Sequence, residues 1–90
     1  MRACVSEVAQ PGGGSARVSV QPLPGCPTYA TVVLLAADGA HLRMLGAVEE
    51  TPAGWTATPA GGGKPRTVAT EWAALAALTR VPSQRAVAAR

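Results

Sequence analysis

Few residues of the chain have the types that acid–base or nucleophilic catalysis uses. The single histidine, His41, follows the single aspartate, Asp38, by three residues. Asp38-Gly39 is a strongly favoured β-hairpin turn, so the Asp38 carboxylate is explained by the turn and is not placed to orient a catalytic base. Glu49 and Glu50 are neighbours, and on a strand they would point to opposite faces. We therefore predict no catalytic residues and a protein that is not an enzyme.

The soft metal-ligand types are equally sparse. Cys4, Cys26 and His41 are separated by 22 and 15 residues, whereas structural zinc sites use four ligands, commonly in closely spaced pairs. The sequence therefore predicts no metal site. Two cysteines without a secretory signal favour free thiols, and a Cys4–Cys26 disulfide is the alternative in an oxidising compartment.

A glycine-rich segment, Gly61-Gly62-Gly63-Lys64-Pro65, superficially resembles a phosphate-binding loop. The motif requires glycine where Thr58 stands and Ser or Thr where Pro65 stands. We expect no nucleotide and no other cofactor. A weaker alternative is that Lys64 and Arg66 contact the phosphates of a nucleic acid.

Positive charge is concentrated in the last third of the chain. Residues 61–90 carry five cationic residues and one acidic residue, in a chain of net charge +3. This distribution is compatible with nucleic-acid binding, which we keep as the alternative function. Its candidate residues are Arg43, Lys64, Arg66, Arg80 and Arg85.

Length and composition limit what can position any site. Ninety residues make one small domain, and the ten glycines, eight prolines and absence of phenylalanine predict a small core. The longest apolar run, residues 32–37, is too short to span a membrane. The first residues show no hydrophobic signal segment, so we expect a cytoplasmic protein.

The elements fall into three parts. Residues 1–30 hold four prolines and a Gly12-Gly13-Gly14 run, which predicts a flexible arm with one edge strand near 17–21. Residues 31–82 form the predicted sheet-plus-helix domain, and 83–90 a short basic tail. Two strands flanking Asp38-Gly39 form its hairpin, in which a two-residue turn sets Val33 opposite Met44 and Val32 opposite Leu45.

A third strand is predicted over residues 54–58. A two-residue loop would set Trp55 opposite Glu50, and a three-residue loop would set it opposite Thr51, on the other face. Proline at the first turn position and glycine at the fourth favour the three-residue loop. The sequence therefore predicts that Trp55 lies opposite Thr51 and on the same face as Thr51.

A helix is predicted over residues 70–80, with Thr70 as its cap and Pro82 as its end. Its buried face is predicted to hold Trp72, Leu75, Ala76, Leu78 and Thr79. The opposite side is alanine-rich.

The predicted fold is α+β: a small antiparallel sheet, a three- or four-stranded meander, with one helix packed on one face. Gly54-Trp55-x-Ala57 followed by Thr70-Glu71-x-Ala73 resembles small sheet-plus-helix modules of phage and mobile-element proteins, over about residues 45–80. Some of those modules lay the sheet in a DNA groove and carry several basic residues there, whereas this sheet has Arg43 alone. No family is identified.

One helix can cover only one face of a sheet, so the other face requires a second cover. The candidate interface residues are Val32, Leu34 and Leu45 on the sheet and Ala73, Ala74 and Ala77 on the helix. In the other register the free face holds Val33, Leu35, Leu42 and Met44 instead. The sequence therefore favours a non-enzymatic interaction module that binds a protein partner or a second copy, as in a homodimer, with a phage or mobile-element accessory role as one setting. A membrane or a small-molecule substrate is not expected.

Overall fold

The computed structural model describes residues 2–10 and 13–88, with side chains as far as Thr79. Each strand of the single sheet pairs antiparallel with the next in the chain, and the sheet curls into a half-barrel. The elements are β1 (Cys4–Ala9), β2 (Ser15–Leu23), β3 (Cys26–Leu35), β4 (His41–Thr51), β5 (Gly54–Pro59), β6 (Arg66–Val68) and α1 (Glu71–Ala88).

The predicted three- or four-stranded meander is wrong, because the sheet has six strands. The difference lies mainly in the first thirty residues, which supply β1, β2 and the start of β3. Gly13 and Gly14 have φ of +98° and +70°, which favours glycine, and the Gln10 N–H donates to the Gly14 carbonyl at 3.1 Å. The glycine run therefore provides the left-handed residues of a hairpin turn.

Proline 22 lies within β2 although β2 has a strand on each side. The pairing of β1 with β2 ends at Cys4 and Val20, so Pro22 lies beyond the end of β1. On its other side Pro22 is opposite Ala30, and the register shifts directly after it. The missing N–H therefore costs no ladder bond to β1.

The β3–β4 hairpin turns at Asp38-Gly39 as predicted, but the prediction of a two-residue turn is wrong. Val33 lies opposite Met44 and Leu34 opposite Arg43, as the two-residue turn requires, but the register shifts on either side of these pairs. At the turn, Ala36 and Ala40 are bonded at 2.9 Å and Gly39 has φ of +88°. The connection is therefore a three-residue loop with a left-handed glycine.

The register shift between Val32 and Val33 decides which side chains of β4 reach the core. Val32 lies opposite Gly46, not opposite Leu45 as predicted, so Leu45 is the extra residue of a β-bulge. The prediction for Trp55 is also wrong, because Trp55 lies opposite Glu50 through a two-residue loop. Trp55 consequently shares a face with the buried Val48 and packs against the core.

Helix α1 begins as predicted and continues further. The Thr70 hydroxyl accepts a bond from the Ala73 N–H at 3.1 Å, which caps the helix, and the backbone stays helical past Pro82 to Ala88. Trp72 is 54% exposed, against the prediction that it would be buried.

The helix packs against the inner face of the curled sheet. It contacts β1 as well as β4, β5 and β6, so the sheet partly surrounds it. Ala74 and Ala76 are therefore buried together with Leu75 and Leu78. The sheet's share of the core is Val8, Val18, Val20, Ala30, Val32, Leu45, Val48 and Ala57. Among the described residues, α1 lacks the combination of length and apolar character that a membrane-crossing helix needs.

Candidate functional site

The first set of predicted interface residues lies inside the molecule. Val32 and Ala74 are fully buried, and Leu45 is 6% exposed, all in the core between sheet and helix. Leu34, Ala73 and Ala77 are half-buried, and Leu34 and Ala77 pack against the same core. In the single chain these side chains contribute to the fold and do not form one open surface.

The apolar residues of the other register form a row on the outer face, opposite the helix. Cross-strand pairing places Val5 beside Ser19, Ser19 beside Val33, and Val33 beside Met44, so the row crosses β1 to β4. Val5 is 60% and Met44 53% exposed, whereas Val33 is buried. The two exposed apolar side chains, Val5 and Met44, therefore lie at the two ends of the row, and exposed apolar side chains on one face of a sheet can form an interaction surface. We call these four positions the outer row.

An open depression of about 480 Å³ adjoins the outer row at the β3–β4 turn. Leu35 and Leu42 line it, and Leu42, the extra residue where the register shifts between Leu34 and Leu35, is 60% exposed. Glu7 and Arg17, directly opposite one another on β1 and β2, line the side of the depression toward the sheet edge. Ser15 Oγ donates to Glu7 Oε1 at 3.1 Å.

The outer row and the depression bring exposed aliphatic and methionine side chains together with a carboxylate, a guanidinium and hydroxyls on neighbouring strands. The alternation of Val33, Leu35, Leu42 and Met44 in the sequence indicated this face. Val5 was not predicted to belong to it, because the predicted arm of residues 1–30 has its one edge strand near 17–21 and none at residue 5.

Among the described candidate residues for nucleic-acid binding, Arg43 lies apart from Arg66. Arg43, Lys64 and Arg66 are exposed. Arg66 lies opposite Ala57, and Ala57 lies opposite Val48 of β4. Val48 is five residues along β4 from Arg43. At about 3.3 Å per residue, Arg43 and Arg66 are roughly 16 Å apart along the strands. The side chains of Arg80 and Arg85 lie outside the described part.

The carboxylates that were considered for catalysis lie in a turn and in a strand. Asp38 Oδ1 accepts a bond from the Ala40 N–H at 3.0 Å, which is the role of a turn residue. Glu49 lies opposite Thr56 and Glu50 opposite Trp55, on opposite faces as expected. Over residues 2–10 and 13–88, no three His, Cys, Asp or Glu side chains are grouped as metal ligands.

The two cysteines are exposed free thiols in strands that are not neighbours. Cys4 begins β1 and Cys26 begins β3, with β2 between them. Two strand spacings amount to about 9.6 Å, whereas the Cα atoms of a disulfide lie within about 7 Å. This geometry excludes an intramolecular Cys4–Cys26 disulfide.

Comparisons of the chain with protein family models, with curated proteins and with solved structures found no match to any of them.

Proposed function

We propose that the chain is a non-enzymatic interaction module that binds a protein partner through the outer face of its sheet. The observation that carries the proposal is the outer row, in which Val5 and Met44 remain more than half exposed although α1 already covers the inner face. Burial of these two apolar side chains against a partner would contribute favourable free energy by removing them from water.

The depression beside the row supports a specific contact. Leu42 adds a further exposed apolar side chain in the depression. Glu7 and Arg17, which lie opposite one another, line the same depression and offer one charge of each sign. A partner that places an apolar side chain over Leu42 can pair with both charges at its border, which fixes its orientation. A cytoplasmic location is part of the proposal and agrees with two exposed free thiols.

The test compares two substitutions on the outer face. Met44→Glu introduces a carboxylate into the outer row, and Thr58→Glu introduces the same group at an exposed position of β5, outside the row. The protein and both variants are immobilised and exposed to nuclease-treated lysate of the organism that encodes the chain. We expect a discrete protein to bind the wild type and Thr58→Glu, and to bind Met44→Glu at least about tenfold more weakly.

Two outcomes would contradict the proposal. Equal capture by Met44→Glu and the wild type would mean that the partner binds elsewhere. Binding that disappears on nuclease treatment, and that falls steeply with salt, would support the alternative, nucleic-acid binding through the exposed basic residues.

A further inference from the structure

The two edges of the sheet are protected to different degrees. In the described chain β6 has β5 as its strand neighbour, and it is three residues long, directly preceded by Pro65 and begun by Arg66. Short length, proline and a basic residue are the devices that prevent strand addition at an edge. At the other edge β1 is six residues long, without proline, lysine or a bulge in its pairing with β2.

The one charged side chain of β1 does not guard its edge. Glu7 Oε1 accepts a hydrogen bond from Ser15 Oγ of β2, and Glu7 lies opposite Arg17 of β2. The hydrogen bond holds the carboxylate toward β2, away from the free edge of β1. The outer side of β1 is left with Val5, which is 60% exposed.

We propose that a second copy of this chain pairs antiparallel along β1, with Val5 opposite the partner's Val5. A two-fold axis through this position brings the same segment of both copies together, as a symmetric dimer requires. Every register centred on a residue of β1 keeps the two outer faces on the same side, because directly opposite residues of an antiparallel pair have their side chains on the same face. Of these, only the Val5 register sets one exposed valine against another.

The charges also favour this register over the one centred on Ser6. In the Ser6 register each Glu7 would lie opposite the partner's Val5, and the two carboxylates would be about 8 Å apart by strand geometry. In the Val5 register Glu7 lies opposite the partner's Ala3, and the carboxylates are about 14 Å apart. The Val5 register therefore combines apolar contact with reduced repulsion.

This pairing goes beyond the proposed function, because it joins the two outer rows into one row across eight strands. The partner protein of the proposed function would then meet a surface twice as wide. The two hypotheses remain separable, since the dimer forms from this chain alone.

The first experiment measures the mass of the purified full chain under reducing conditions by sedimentation equilibrium. We expect the wild type to reach twice the monomer mass of 9.0 kDa as concentration rises. Val5→Lys sets two ammonium groups opposite one another and should raise the dimer dissociation constant at least about tenfold. Thr58→Lys, at an exposed position of β5 that lies four strands from the edge and outside the outer row, should leave it unchanged.

The second experiment tests the register by oxidative cross-linking. In a chain with Cys4→Ser and Cys26→Ser, a single cysteine is placed by Val5→Cys or, for comparison, by Ser6→Cys. Cβ atoms of directly opposite residues are about 4.5–5.5 Å apart, so Val5→Cys should form the covalent dimer much faster.

A monomer at every concentration up to about 1 mM would overturn the inference, as would a Val5→Lys variant that dimerises like the wild type. Faster cross-linking through position 6 would overturn the register. None of these results tests the proposed function, which is tested separately by partner capture with Met44→Glu.

Discussion

Gly46 is the position at which a single methyl group should damage the fold most. It lies in β4 directly after the bulge residue Leu45, with φ of +152°. A Cβ atom built there would lie 2.2 Å from the Thr58 carbonyl oxygen and 2.9 Å from Leu78 Cδ2. The carbonyl belongs to the neighbouring strand, so Gly46→Ala can be accommodated only if the backbone of β4 or β5 moves.

The magnitude follows from two separate costs. A backbone conformation that L residues rarely adopt costs about 1–3 kcal/mol, and overpacking a close contact costs about 1–3 kcal/mol. Gly46→Ala should therefore lower the free energy of unfolding by about 2–6 kcal/mol. A 90-residue domain has roughly 5–13 kcal/mol in total, so the variant would be close to unfolding.

The matched control is Gly39→Ala in the β3–β4 turn. Gly39 also has a positive φ, +88°, but a Cβ atom there has no neighbour within 4 Å among the described residues. Its substitution should therefore cost only the backbone strain, roughly 1–2 kcal/mol. The difference between the two variants isolates the contact with Thr58 and Leu78.

The assay is urea unfolding followed by the fluorescence of Trp55 and Trp72 and by helical circular dichroism. At about 1.5 kcal/mol per M, a loss of about 3 kcal/mol lowers the midpoint by about 2 M. If Gly46→Ala loses no more stability than Gly39→Ala, the close approach of β4 to β5 is not as described, and the reasoning fails.

The remaining predictions concern the helix and the interface. Leu78→Ala should lower the free energy of unfolding by about 2–5 kcal/mol, because Leu78 is 1% exposed, and Trp72→Ala in the same helix should cost less because Trp72 is 54% exposed. Thr70→Ala should cost about 1 kcal/mol by removing the bond to the Ala73 N–H, and an equal loss from Thr67→Ala, an exposed residue of β6, would refute the cap. Both are measured by urea unfolding. The binding predictions are the weaker partner capture by Met44→Glu and the monomeric Val5→Lys.

The local elements that could be predicted from the sequence are those with a specific chemical signal. Asp38-Gly39 located the β3–β4 hairpin and two of its pairs, and Thr70 located the start of α1. Both signals act within a few residues, so a single sequence contains them. The bulge at Leu45 is followed by Gly46, which lies close to Leu78 of the helix, and no local pattern reports such a long-range approach.

The first thirty residues show the opposite case. The glycine run predicts a flexible arm, whereas Gly13 and Gly14 supply positive φ values in the β1–β2 turn. Composition could not separate these roles, because glycine has the same backbone freedom in a linker and in a turn. The outer row could be predicted only in part for this reason, since Val5 belongs to the strand that was missed.

The order of elements along the chain has a consequence for how the molecule folds. Each strand pairs with the next, so the sheet can form from short loops that close quickly. The contact between α1 and β1 is different, because it joins segments separated by more than sixty residues. We expect this closure to be the slow step of folding. During synthesis on the ribosome, the inner valines would stay uncovered until α1 emerges after all six strands.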